Sequence, residues 1–140
     1  MEIAGSALSA QRLRMDVIAN NVANAESTSN GAGEPFQASH VVFRPRHDRS
    51  FAALLAKLRG EPVTSRGVAV TELVADKRPG QKVFDPTHPD ADEDGFVTQS
   101  NVDLLTEMAD MLSATRSFQA NVTTLNAAKR MIQASLEIGR

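Results

Sequence analysis

The stretch best equipped for chemistry is Asp90-Ala91-Asp92-Glu93-Asp94-Gly95. Alternating carboxylates before a glycine match the first six positions of an EF-hand calcium loop, whose oxygen ligands converge on one ion. The match then fails. The twelfth position calls for a bidentate Glu and holds Asn101, and Pro86 and Pro89 forbid the helix that must enter such a loop. The residues read better as an acidic turn in which Gly95 supplies a positive φ before Phe96. His40, His47 and His88 are too dispersed for a zinc motif, and scattered Ser and Asp do not compose a triad. There is no phosphate-binding Gly-rich pattern, and the absence of Cys rules out thiol chemistry. No catalytic constellation emerges, so the expectation is a non-enzyme without metal or cofactor.

Composition narrows the partners. At 140 residues and a net charge of −2, with no basic run and no Tyr or Trp, nothing points to nucleic acid or an anionic membrane. No apolar run nears the roughly 20 residues of a membrane span. The start, Met1-Glu-Ile-Ala-Gly-Ser6, lacks the basic and apolar regions of a secretory signal. The chain is therefore expected in the cytoplasm or on an export route without a cleaved signal. Aromatics at 4% argue against a large self-sufficient core.

Helix breakers divide the sequence into three. All six Pro and all Gly except Gly5 and Gly139 lie in residues 31–95. At the C-terminal end, Leu104, Met108, Met111, Phe118, Val122, Leu125, Ile132 and Leu136 recur at alternating steps of four and three, interrupted by Thr115 and Lys129. That pattern is the seam of a coiled coil or long bundle helix, a rod of roughly 54 Å, with Asn101 as its candidate N-cap. At the N-terminal end, residues 2–27 read as a first helix. Met1, Ala4, Leu8, Met15, Ile18, Val22 and Ala25 form its stripe, with Gln11 as the polar interruption. The expected fold is mainly α. Long N- and C-terminal helices (1–29 and 101–140) pair as an antiparallel coiled coil around a small β-rich insert (30–100). In the insert, residues 36–44, 67–76 and 82–84 read as strands and 50–58 as a short amphipathic helix. Five of the six Phe, between Phe36 and Phe96, suggest an apolar centre there.

A second pattern concerns what surrounds the helices. Residues 117–128 and 17–25 carry no charge on any face. A solvated helix shows Lys and Glu on its outer side, whereas interface cores are depleted of them. Both helices are therefore expected to be walled in on more than one side, largely by other chains. Leu8, Met15, Ile18 and Val22 are expected to face Leu104, Met111, Phe118, Val122 and Leu125 across the seam. Asn20, Asn21, Asn24, Gln119, Asn121 and Asn126 are expected to make lateral amide contacts between subunits, since Asn is a poor helix former without such a role.

The residues also carry a resemblance. Ser6-Ala-Leu8-Ser-Ala-Gln11-Arg12-Leu-Arg-Met15-Asp-Val-Ile18-Ala-Asn20-Asn21-Val22-Ala-Asn24-Ala resembles the N-terminal helix motif of bacterial flagellar axial proteins. Phe84-Asp85-Pro86-Thr-His88-Pro89-Asp90-Ala-Asp92-Glu-Asp-Gly95-Phe-Val97 is similar to the proline- and aspartate-rich turn of their proximal rod members. Asn101-Val-Asp103, Glu107-Met108-Ala-Asp110-Met111 and Ser113-Ala-Thr-Arg116-Ser-Phe118-Gln119-Ala-Asn121-Val122 are similar to their C-terminal signature. The resemblance covers both ends and is weakest over residues 46–66. It implies a subunit of the basal-body proximal rod, the periplasmic shaft that carries motor torque. It also implies copies of the chain and other rod proteins as partners, and unfolded passage through the flagellar type III export apparatus without a cleaved signal. A calcium-responsive module and a cytoplasmic coiled-coil adaptor are the alternatives.

Overall fold

The computed structural model describes residues 1–29, 34–46, 55, 58–59 and 66–139. The element order is α1 (Glu2–Ala23), β1 (Ser39–Pro45), β2 (Val68–Ala75), β3 (Lys82–Phe84), β4 (Phe96–Thr98) and α2 (Leu104–Ile138). The expected helix at 50–58 lies outside the described residues except at Leu55 and Leu58. β1 and β2 form an antiparallel ribbon from Ser39↔Ala75 to Pro45↔Val68, with an irregularity between Val42 and Phe43. β3 and β4 form a second ribbon, Lys82↔Thr98 to Phe84↔Phe96. Helix α1 packs against α2 and against both strands of the first ribbon, and so stands between them.

Both helix boundaries differ from expectation for local reasons. α1 stops at Ala23 rather than residue 27. The Asn24 side chain donates to the Asn20 carbonyl at 2.9 Å, and the Asn24 amide reaches back to Asn20 and Asn21. Asn thus ends the helix by offering the backbone alternative partners. At the other helix, Asp103 is the N-cap, and its carboxylate accepts from the Leu105 amide at 3.1 Å and the Thr106 hydroxyl at 2.6 Å. Asn101, the expected cap, instead accepts from the Ala38 amide at 2.7 Å and donates to the Asp76 and Arg78 carbonyls at 2.8 and 2.9 Å. It ties the entry of β1 and the exit of β2 to the start of α2.

The core is thin and built of small residues. Its buried apolar members among the described residues are Ala10, Ile18, Ala38, Val97 and Ala114. Among the described residues of the insert no Phe is buried. Phe84 and Phe96 meet edge to face with centroids 5.3 Å apart, yet both are exposed, and Phe36 and Phe43 are half-buried. A two-stranded ribbon has too little covering surface to bury large rings. Close approach replaces bulk where β2 begins. Gly67 has φ +108°, and a Cβ there would lie 2.2 Å from the Ser6 hydroxyl. That hydroxyl donates to the Ile3 carbonyl and accepts from the Val68 amide at 3.1 Å, fastening the ribbon to the first turns of α1.

Candidate assembly interface

The centre of the chain is a polar node. Asn21 is 1% exposed, although a lateral contact between subunits was expected of it. Its amide nitrogen donates to the Ser39 carbonyl at 2.9 Å and to Glu107 Oε1 at 3.1 Å, and its oxygen accepts from the Ser39 amide at 3.0 Å. One side chain thereby joins α1, β1 and α2. Glu107, 4% exposed, is the partner that sequence reading missed. It lies seven residues before Ala114 and hence on the same helix face.

The most enclosed positions of the second long helix are not its large apolar residues. Ala114, fully buried, and Glu107 are the most enclosed residues of α2, while Met108 and Leu104 are exposed. Met111, Phe118, Val122 and Leu125 are half-buried, as are Leu8, Met15 and Val22 on α1, where Ile18 is buried. Thr115 directs its hydroxyl to the Met111 carbonyl and lies 3.7 Å from the Met15 sulfur. Arg14 and Asp110 form an ion pair at 3.0 Å. Ala10 and Ala114, both buried, are small residues that a reading based on large apolar ones does not register.

Outside this contact, α2 presents the uncharged face singled out in the sequence. Gln119, Ala120, Thr123, Thr124 and Asn126 are exposed, and Asn121 is half-buried. The polar groups are turned onto their own helix. Asn121 donates to the Ser117 carbonyl, Thr123 to Gln119 and Thr124 to Ala120, each at 2.9 Å. Hydroxyls bonded to the preceding turn are already satisfied and ask no partner of their surroundings. On α1, part of the uncharged stretch is covered within the chain: Ile18 and Asn21 are buried and Asn24 is half-buried, while Asn20 is exposed. Beyond residue 128 every described residue of α2 is exposed, including Met131, Ile132, Leu136 and Ile138, the last at 86%.

The acidic turn closes the second ribbon. The Asp85 amide donates to the Gly95 carbonyl at 3.0 Å, and the Asp85 carboxylate accepts from the Thr87 hydroxyl at 2.7 Å, which holds it below the usual carboxylate range. The Asp90 amide donates to His88 Nδ1 at 3.1 Å, and the Thr28 hydroxyl donates to Asp90 at 2.7 Å. Ser100 adds a hydrogen bond to the Ala25 carbonyl. The turn is thus tied to the chain leaving α1. Gly95 has φ +78°, with Phe84 and Pro86 packed around it. Pro86, Pro89, Asp92, Glu93 and Asp94 are exposed. Among the described residues no three acidic or histidine side chains are grouped to hold a metal ion, so the turn gives calcium binding no support. Where β2 ends, Arg78 hydrogen-bonds Asp76 at 2.7 Å and lowers its pKa to about 2, with His40 3.9 Å away.

Comparison with known proteins matches each helical end to a flagellar rod model. Residues 1–30 match the model described as "Flagella basal body rod protein", and residues 93–138 match "Flagellar basal body rod FlgEFG protein C-terminal". Over the whole chain it is 39% identical to flagellar basal-body rod protein FlgC of Bacillus subtilis, covering 100% of this chain and 96% of that one. It is 40% identical to FlgC of Yersinia enterocolitica and 38% to FlgC of Salmonella typhimurium, each comparison covering 99% of this chain and 95% of the relative. With full-length identity at this level, and with the N-terminal motif, the turn and the C-terminal helix all included, the chain belongs to the FlgC family of flagellar basal-body rod proteins.

Proposed function

We propose that this chain is a structural subunit of the flagellar basal-body rod, assembling with copies of itself and with other rod proteins into the periplasmic shaft that transmits motor torque. It reaches that place through the flagellar export apparatus without a cleaved signal, and its role is non-catalytic. The observation that carries the reading is the unsatisfied surface of α2. Gln119, Ala120, Thr123, Thr124 and Asn126 of the uncharged stretch are exposed, and so is every residue of 129–138, including Met131, Ile132, Leu136 and Ile138.

Within the subunit, α1 and α2 pair as an antiparallel coiled coil. Contacts in opposed order, Met15 to Thr115 and Asn21 to Glu107, support that sense. Leu8, Met15, Ile18 and Val22 meet Met111, Phe118, Val122 and Leu125, while exposed Leu104 serves neighbouring subunits. Asn20, Asn24, Gln119, Asn121 and Asn126 lie at or beside the lateral contacts. The turn of Asp85, Pro86, His88, Pro89, Asp90, Asp92 and Gly95 is a second contact region. The alternatives of a calcium-responsive module and an unrelated adaptor have no observation in their favour. An in-frame deletion tests the role. Cells without the gene should lack hooks and filaments by electron microscopy and fail to swim until the intact gene is restored. Swimming deletion cells would end the reading.

A further inference from the structure

We propose that one copy of the chain binds a second copy head to tail, with the acidic β3–β4 hairpin loop of the first seated on the arginine-bearing end of the β1–β2 ribbon of the second. The proposal names the partner of the turn in the rod reading and rests on that reading for its setting. Residues 84–96 carry five carboxylates, at Asp85, Asp90, Asp92, Glu93 and Asp94, and no Lys or Arg. Asp92, Glu93 and Asp94 are exposed and, among the described residues, without a cationic partner. Beside them stands the exposed edge-to-face pair Phe84–Phe96. At the far end of the other ribbon, Arg44 and Arg46 are exposed and have no carboxylate partner among the described residues. Their neighbours at the start of α1, Met1 and Ile3, are exposed apolar residues. Each pole therefore offers charge and an apolar contact, of opposite sign and matching kind.

The poles cannot meet within one chain. The hairpin loop is fixed to the residues after α1 by Thr28 and Asp90, and the arginine end is fixed to its first turns by Ser6 and Val68. Between Ser6 and Ala23 lie 17 helical steps, about 26 Å. The screening length at physiological salt is about 8 Å, so intramolecular attraction between them is slight. Complementary patches at two different places on a surface make a heterologous contact, which propagates rather than closing on itself. Electrostatic complementarity of this kind speeds encounter and fixes orientation.

The test is sedimentation velocity on the full chain and two charge-reversed variants, Glu93→Lys with Asp94→Lys and Arg44→Glu with Arg46→Glu. Wild type should self-associate, and at least about tenfold more weakly when salt rises from about 0.01 M to about 1 M, which shortens the screening length from about 30 to about 3 Å. Each variant alone should associate at least about tenfold more weakly than wild type, because like charges now face each other. An equal mixture should recover association, since each variant then supplies the pole the other lacks. Should a reversal remove the helical circular dichroism, the neutral pairs Glu93→Gln with Asp94→Asn and Arg44→Gln with Arg46→Gln must weaken association instead. Salt-insensitive or absent self-association of wild type, or a mixture no better than its components, would overturn the proposal. Either result leaves the deletion phenotype, and hence the rod reading, independently decided.

Discussion

Asn21 shows how one side chain can serve the subunit rather than its neighbours. It satisfies both backbone groups of Ser39 and one oxygen of Glu107 in a place closed to water. Asn21→Ala should destabilise the folded chain by about 1–3 kcal/mol, because a buried amide and a carboxylate lose their partner. Asn20→Ala, on the exposed face next door, should stay within about 0.5 kcal/mol in the same urea titration. Equal effects would show that the node does not hold the three elements together. The sequence presents three Asn within five residues and no means of telling the inward one from the others, because the partner that distinguishes it lies 86 residues away. Asp76 makes a second residue-scale case. Arg78 depresses its pKa from 3.8 to about 2. The stabilisation from a depressed carboxylate is complete above the unfolded value and is lost as pH falls through the folded one. Thermal melts should therefore show wild type losing more stability than Asp76→Asn between about pH 4 and pH 2, with no difference in slope above that window.

The elements were legible in proportion to how local their causes are. The long α2 follows from 35 residues without Gly or Pro and an acidic cap, and the strands at β2 and β3 from β-branched residues between turn signals. What escaped reading were the joints. The helix seam was expected along large apolar residues; the most enclosed residues of α2 are Ala114 and Glu107, one small and one charged, while Met108 and Leu104 are exposed. Asn101 looked like a cap by position and is a clamp by contact, because the groups it bonds come from β1 and from the exit of β2. Gly67 is the joint most open to test. It combines a left-handed φ of +108° with a Cβ position 2.2 Å from the Ser6 hydroxyl. Gly67→Ala should cost about 1–3 kcal/mol through backbone strain alone, and more through the displaced ribbon. The loss should appear as a lowered Tm, together with faster hydrogen exchange at the Val68 amide, which Ser6 otherwise accepts. An unchanged Tm would mean that the ribbon is not seated on α1 as described.

On the scale of the whole molecule, the two helices are unequal, and the inequality separates folding from assembly. α1 has 22 residues and α2 has 35. The last described turns of α2, Lys129 to Gly139, are exposed throughout, including Met131, Ile132, Leu136 and Ile138. A segment of about ten residues is too short to hold helix by propensity in water, so in the free subunit it should fray. Contact with neighbouring subunits would bury its apolar residues at about 25 cal/mol per Å² and offset the entropy of ordering it. Deleting residues 130–140 should then leave the melting of the free subunit nearly unchanged, within about 0.5 kcal/mol, because no core residue is removed. The same deletion should abolish rod assembly, scored by loss of hooks in cells that still produce and export the shortened chain. In full-length subunit, amides of 131–138 should exchange rapidly in the monomer and become protected in assembled rods. Slow exchange there in the monomer would show that the end of α2 is stabilised within its own chain. Assembly would then have to rest on the uncharged face at 117–128 and on the charged poles of the insert.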